Sequence, residues 1–298
     1  MIDPGPTSPG QPVRSVSDAE FARFQTLVHR EVGIWLAPVK KALLAGRLAH
    51  RLRELGLSSY SQYYRLVQED PAERLRLFDS VSTNETHFFR EPRHFQFLVD
   101  RVYPAWRTQA SAGRRARQVR VWSAACSTGE EPYSLAMSLL RAFPAGSGWS
   151  LEILATDIST RVLELAQAAI WPFDKAKEIP PADLRAFMLR GTGSHQGKLK
   201  AGPEIRALVR FARLNLHEAA FPALGRFDLV FCRIVLIYFD AATKAQVVER
   251  LRRHLAPDGR LFLGHAESLG GRTDRFRPVL PTVYAHAPEA GGGPGFAR

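Results

Sequence analysis

The chain has 298 residues, 45% hydrophobic and 23% charged, which is the mix of a soluble globular protein. No apolar run reaches the roughly 18 residues that flag a membrane-spanning helix. Lys and Arg (41) outnumber Asp and Glu (29), and the resulting charge of +12 favours polyanionic partners: nucleic acid, an anionic membrane surface or an acidic protein face.

Residues 1–16 carry Pro4, Pro6, Pro9 and Pro12 without an apolar period and read as a disordered tail. They contain no apolar core of a secretory signal. From residue 17 to 82 the text is helical throughout and predicts a small all-helical domain. Ser17 or Asp18 starts the first helix with Glu20 behind it. Phe21, Phe24, Leu27 and Val28 then fall at helical spacing. Leu44, Leu48, Leu52 and Leu55 form a second buried stripe. Beside that stripe, residues 38–53 hold five cations and no acid: Lys40, Lys41, Arg47, Arg51 and Arg53. Spacings of seven and four bring Lys40, Arg47 and Arg51 to one face. A fresh helix starts at Glu69-Asp70-Pro71.

Residues 83–118 read as a linker and entry helix. Residues 119–125, 151–156, 208–213, 227–232 and 260–264 are β-type runs, separated by helical stretches at Pro132–Phe143, Arg161–Ile170 and Thr243–Leu255. This alternation predicts a doubly wound, mainly parallel sheet over 119–287. The Gly-rich text after a short helix at Pro181–Leu189 is too long for a plain connection, so 172–207 is expected to be an inserted subdomain. Residues 288–298 read as a second tail. The two cysteines, Cys126 and Cys232, form neither a disulfide framework nor a CxxC pair, and a cytoplasmic protein fits them.

The first strand runs into small residues and a helix, VRVWSAACSTGEEPYS. That geometry lets a ligand approach the backbone at a helix N-terminus. The P-loop lysine is absent, and Glu130-Glu131 places acids where a pyrophosphate would sit. Acids there suit S-adenosylmethionine, a sulfonium and ammonium ligand whose ribose hydroxyls can donate to carboxylates. Asp157 closes the second strand, where such folds grip ribose; capping of the next helix is its structural alternative. Asn215 follows the strand LVRFAR, and its amide can read an adenine edge or shape a turn. Arg233 and Tyr238 interrupt the apolar run FDLVFCRIVLIYFD at the sheet's C-terminal edge. Asn84, Thr86 and Arg90 lie in SVSTNETHFFREP with Phe88 and Phe89 among them. None of the nine His forms a metal-like or triad-like arrangement, so no metal is expected.

These segments, together with LATDIS and PDGRLFLGHAESL, resemble the CheR family of chemotaxis-receptor glutamate methyltransferases over about residues 17–285. The resemblance implies an α/β class I (Rossmann-like) methyltransferase sheet with an all-helical N-terminal domain and a small inserted antiparallel β-subdomain. It implies S-adenosylmethionine-dependent esterification of receptor glutamates for sensory adaptation, with S-adenosylhomocysteine as product. Carried over by position, Asn84, Thr86 and Arg90 meet the cofactor from the linker, and Glu130 and Asp157 hold its polar groups. Asn215 and Leu216 line its adenine, and Arg233 with Ile234 closes the site. Arg90 and Tyr238 flank the reacting carboxylate. The partner implied is the acidic helical methylation region of a chemoreceptor, met by the basic stripe; binding of a receptor C-terminal tether peptide by the β-subdomain stays open. One departure stands out. The family motif reads Cys-Arg-Asn-Val, and Ile234 replaces the Asn, removing one polar group from the site. Two other readings compete: a nucleic-acid methyltransferase, suggested by the charge, and a non-catalytic cofactor-binding adaptor, suggested by Ile234. The first lacks both the Asn/Asp-Pro-Pro-Tyr/Phe segment and the Pro-Cys nucleophile of such enzymes.

Overall fold

A computed structural model describes residues 15–269 and 275–287. The expected tails fall outside these residues except for Ser15 and Val16, and Val16 is buried rather than part of a tail. The chain divides into two compact units, Met1–Thr83 and Asn84–Arg298.

The first unit is helical, with α1 (Asp18–Val32), α2 (Lys41–Glu54), α3 (Tyr60–Glu69) and α4 (Pro71–Val81). Ser17 and Glu20 form a reciprocal capping box at the start of α1, satisfying two amides that the helix itself cannot. Gly33 ends α1 in the left-handed region at φ 75°. Asp70 caps α4 by accepting from the Ala72 and Glu73 amides, with Pro71 at the first helical position. Leu44, Leu48 and Leu52 of α2 are buried, as their spacing requires.

The second unit begins with α5 (Pro92–Phe97), a π-turn at Leu98–Val102 and α6 (Tyr103–Ser111). The sheet core follows as β1 (Gln118–Ala124), α7 (Glu130–Ala142), β2 (Ser150–Asp157) and α8 (Thr160–Ala168). An inserted sheet comprises β3 (Ile170–Pro172), β4 (Met188–Arg190) and β5 (Lys198–Ala201), with α9 (Pro181–Phe187) before β4 and α10 (Pro203–Arg206) after β5. The main sheet resumes with β6 (Val209–Arg213), β7 (Phe227–Cys232), α11 (Ala241–Arg253), β8 (Leu255–Leu263), β9 (Phe276–Leu280) and β10 (Val283–His286).

Among the described residues the main sheet has the order β6-β2-β1-β7-β8-β10-β9. Its first five strands are mutually parallel and the last two pair antiparallel. Alternating side chains build a separate core on each face. Val119, Val121, Leu229 and Phe231 join one hydrophobic cluster, and Trp122, Ala124, Val230 and Cys232 join the other. The inserted sheet is antiparallel in the order β3-β5-β4.

Two expected boundaries need correction, and two further strands appear. The helix expected through Ile170 stops at Ala168, because Ala169 turns left-handed at φ 54° and Ile170 enters β3. The strand expected at 260–264 starts at Leu255 and runs through Pro257-Asp258-Gly259. β9 and β10 carry Pro278 and follow Pro281, which hides them in the sequence; β9 is an edge strand, where proline is tolerated.

Candidate functional site

All parallel strands present their C-terminal ends at one edge, and the loop after β1 is the most constrained segment there. Ala125, Ser127 and Gly129 have φ of 72°, 50° and 96°, so alternate residues turn left-handed. The Ala125 and Cys126 amides both donate to the Thr156 carbonyl, at 2.8 and 2.9 Å, stitching the loop to β2. Gly129 is glycine for two reasons. Its φ is left-handed, and a Cβ there would stand 3.0 Å from the Ala166 Cβ on α8.

Asp157 is buried, and both its oxygens are used. Oδ2 accepts from the Ser127 amide at 2.9 Å and Oδ1 from the Ser159 amide at 3.0 Å. It therefore fastens the β1 loop to the start of α8, while Ser159 itself caps that helix. An ionised carboxylate offers about four acceptor positions, so it can accept from hydroxyls as well as from amides.

Glu130 and Glu131 open α7, where carboxylates complement the helix dipole. Glu130 accepts from the Thr128 hydroxyl at 2.6 Å and lies 3.5 Å from Lys175 Nζ. Glu131 points the other way. It accepts from the Ser123 hydroxyl at 2.6 Å and from Arg233 Nε at 2.6 Å, and both residues are buried. Arg233 also donates to the Arg90 carbonyl and lies 3.8 Å from a Glu91 oxygen. One guanidinium thus joins the end of β7, the start of α7 and the segment before α5.

That segment, residues 84–91, is pinned along its length. The Asn84 carbonyl accepts from the Ser127 hydroxyl at 2.8 Å, and the Thr86 carbonyl from Lys175 Nζ at 2.9 Å. The Phe88 amide donates to Glu178 at 2.9 Å and the Phe89 amide to the Ser134 hydroxyl at 2.9 Å. Phe89 and Glu91 are left-handed at φ 51° and 60°. The TNETHFFREP text therefore folds against the same loop that β1 and β2 create.

A family model described as the CheR methyltransferase SAM binding domain matches residues 84–285, and one described as its all-alpha domain matches residues 19–82. The chain belongs to the CheR methyltransferase family. The chemotaxis protein methyltransferase of Escherichia coli (strain K12) is 40% identical over 274 residues, 91% of this chain and 92% of the relative. Chemotaxis protein methyltransferase 2 of Pseudomonas aeruginosa is 38% identical over 287 residues, 95% of this chain and 100% of the relative. That of Borreliella burgdorferi is 32% identical over 274 residues, 91% of this chain and 95% of the relative. No helix among the described residues is long and apolar enough to cross a membrane, and none of their His, Cys, Asp and Glu side chains form a metal-like group.

In this CheR methyltransferase, Glu130, Asp157 and Arg233 reach the β1 loop and α7 through their side chains, whereas Asn84, Thr86 and Arg90 are tied into the same network by their backbone carbonyls. Asn215 lies just past β6, where its Oδ1 accepts from the His217 amide at 3.0 Å, so the turn-forming alternative is realised. Leu216 belongs to the hydrophobic cluster of Trp122, Leu214, Val247 and Leu251, and its carbonyl accepts from Arg250 at 2.7 Å. Tyr238 ends a 3-10 turn at Leu236–Tyr238 and is half-buried. The Arg90 guanidinium is turned back onto the Glu85 carbonyl at 2.9 Å.

Two expectations change. Ile234 is not a simple loss of a polar contact: its backbone is left-handed at φ 58°, a conformation that Asn tolerates and a β-branched side chain resists. The basic stripe of the helical unit is also largely consumed internally. Arg47 donates to the Val81 carbonyl at 2.7 Å and to Ser80 and Ser82, satisfying the C-terminus of α4. Arg51 grips buried Glu73 with both Nε (2.8 Å) and a terminal nitrogen (2.6 Å), and the guanidinium holds that carboxyl below its ordinary range. Lys41 pairs with Asp18 at 2.7 Å. Arg53 is exposed and Lys40 half-buried.

The sequence marks Ser127 as a small loop residue and Glu131 as an acid beside Glu130, but no local signal marks Lys175, Glu178, Glu91 or Glu267 as part of the site. Buried His94 lies 3.2 Å from the Glu91 oxygen that Arg233 also approaches, and burial with the nearby guanidinium lowers it to about 4. Burial pushes the thiols of Cys126 and Cys232 well up, so neither is a nucleophile at neutral pH.

Proposed function

We propose that the chain transfers the methyl group of S-adenosylmethionine to glutamate side chains of chemoreceptors, forming the glutamate 5-O-methyl ester. The observation that carries this reading is the meeting of four segments at one sheet edge. They are the left-handed β1 loop with Glu130, the β2 end at Asp157, the Arg233–Tyr238 turn and the pinned 84–91 segment. The donor set fits the cofactor. Small residues leave backbone room, Glu130 offers a carboxylate to an ammonium, and Asp157 closes the second strand where such folds grip ribose hydroxyls. Asn84, Thr86 and Arg90 then face it from the 84–91 segment, with Asn215 and Leu216 on the adenine side and Arg233 with Ile234 beneath.

When bound, the cofactor supplies an electrophilic methyl on a sulfonium. The chain's own task is positioning. A glutamate of pKa about 4.3 is ionised at neutral pH, so esterification needs no general base. In this reading Arg90 swings from the Glu85 carbonyl to the substrate carboxylate, and the Tyr238 hydroxyl fixes its second oxygen. In-line alignment and exclusion of water supply the acceleration, and because opposite charges are neutralised along the reaction, a dry site favours the transition state. The acidic receptor helix meets the helical unit at the basic stripe, where Arg53 is exposed and Arg47, Arg51 and Lys41 hold the unit together.

The test is transfer of a labelled methyl group from S-adenosylmethionine to receptor membranes or to RNA. Label on receptor protein that is released as methanol by base supports the reading. Base-stable label on RNA, or cofactor binding without transfer, overturns it.

A further inference from the structure

The turn that carries Arg233 and Tyr238 is held by one side chain that lies outside it. Glu267 is buried, with 2% of its surface exposed. Its Oε1 accepts from the Val235 amide at 2.9 Å and the Leu236 amide at 2.7 Å. Its Oε2 accepts from the Ile234 amide at 2.8 Å and the Gly264 amide at 2.7 Å. Four backbone donors converge on one carboxylate, and three of them are consecutive residues of the turn. This is an anion nest turned inward: the bound anion is the chain's own.

The surroundings are built for it. A Cβ on Gly264 would stand 2.9 Å from Glu267 Oε2 and 2.7 Å from Ile234 Cγ1, so only glycine leaves room for the carboxylate. Ile234 holds a left-handed φ of 58°, which a β-branched residue adopts only when its surroundings impose it. The bond to its own amide is part of that imposition. With four acceptor positions and four amides, the carboxylate has no remaining capacity to touch a substrate.

We propose that Glu267 is a positioning residue of the methyl transfer, clamping residues 234–236 so that Arg233 and Tyr238 stand in register with the β1 loop. The inference rests on the methyltransferase reading above and adds to it a residue that acts only through the backbone. Glutamine cannot replace it, because its NH2 would face amide donors on one side of the nest. The clamp also explains how Ile can occupy position 234: there the chain needs the backbone N–H, and the carboxylate holds the unfavourable φ in place.

The experiment uses the full chain as wild type, Glu267→Gln, Glu267→Asp and Glu267→Gln with Ile234→Asn. Three quantities are read: amide hydrogen exchange at 234–236, cofactor affinity by calorimetry, and kcat and KM for receptor methylation. In Glu267→Gln the three amides should exchange at least about tenfold faster while those of β7 and β8 keep their rates. The kcat should fall about 10- to 100-fold with receptor KM within about twofold, the signature of misplaced groups rather than lost docking. Adding Ile234→Asn should restore part of kcat, because Asn holds the left-handed backbone without the clamp. Unchanged exchange and kcat overturn the proposal. So does a loss of kcat matched by equal loss of protection throughout the sheet, which marks a residue of general stability. Should Glu267→Gln not fold, Glu267→Asp keeps the charge one methylene short and must show the same selective exchange. Wild-type protein that binds cofactor but methylates no receptor refutes the methyltransferase reading instead. The exchange arm then decides the clamp alone, and equal rates at 234–236 reject it.

Discussion

Asp157→Ala is expected to weaken cofactor binding and the fold together. The carboxylate accepts from two backbone amides, those of Ser127 and Ser159, at 2.9 and 3.0 Å, and is buried. Hydrogen bonds to a charged group are worth about 1.5–3 kcal/mol each, and the alanine leaves both amides without their acceptor. Water entering the vacated space recovers part of this, so the expected stability loss is about 2–4 kcal/mol. For a unit of this size that corresponds to a Tm lower by about 5–15 °C. Cofactor affinity loses the further bonds from ribose hydroxyls, again about 1.5–3 kcal/mol or roughly 10- to 150-fold in Kd. Thermal unfolding and calorimetric titration of the same sample measure the two effects. Sequence reasoning alone predicts the affinity loss with little destabilisation, because it cannot see the two amides. A folded variant with unchanged affinity refutes the ribose role. A variant with lost affinity and full stability refutes the role of Asp157 in closing the β1 loop.

Removing one partner of the Arg51–Glu73 pair (Arg51→Met) should destabilise the helical unit by about 3 kcal/mol, the low end for a buried pair because Arg51 is partly exposed; chemical denaturation reads this. By contrast, reversing exposed Arg53 (Arg53→Glu) should leave stability within about 0.5 kcal/mol and slow receptor methylation, and the wild-type rate should fall with salt as charges beyond a Debye length of about 8–10 Å are screened. Ile234→Asn relieves a left-handed β-branched residue and should raise stability by about 1 kcal/mol, and cofactor affinity by up to about tenfold if the Asn amide also reaches the ligand; equal Tm and Kd in both proteins oppose this. His94, buried and lowered to about 4 from an ordinary 6.5, binds a proton more readily unfolded than folded. Stability should therefore be full above pH 6.5 and fall as pH drops through 6.5 toward 4, by on the order of 3 kcal/mol. His94→Gln should flatten that slope, and an unchanged slope in denaturation curves rejects the assignment.

Much of this architecture is legible in the sequence because its signals are local. The Ser17–Glu20 capping box, the Asp70-Pro71 start and the leucine stripe of α2 depend on residues within a few positions of each other. The central strand β7 announces itself as an apolar run because both its faces are buried, whereas the edge strand β6 is mostly exposed and shows only as a short β-type run. The residues that organise the site are not local. Arg233 meets Glu131 across 102 positions, Phe88 meets Glu178 across 90, and Ile234 meets Glu267 across 33. Neither charge patterning nor periodicity reports such pairs. The basic stripe shows the same limit from the other side: its spacing is correct, but Glu73 and the end of α4 lie under it and take up Arg51 and Arg47.

The central claim is most directly tested by mapping the product. A receptor methylation region incubated with the full chain and S-adenosylmethionine carrying a deuterated methyl group is digested and sequenced by mass spectrometry. Deuterated methyl ester on glutamate side chains, lost on mild base treatment and absent with Asp157→Ala at low cofactor concentration, is the predicted result. Label on lysine, or no label from protein that binds the cofactor normally, contradicts it.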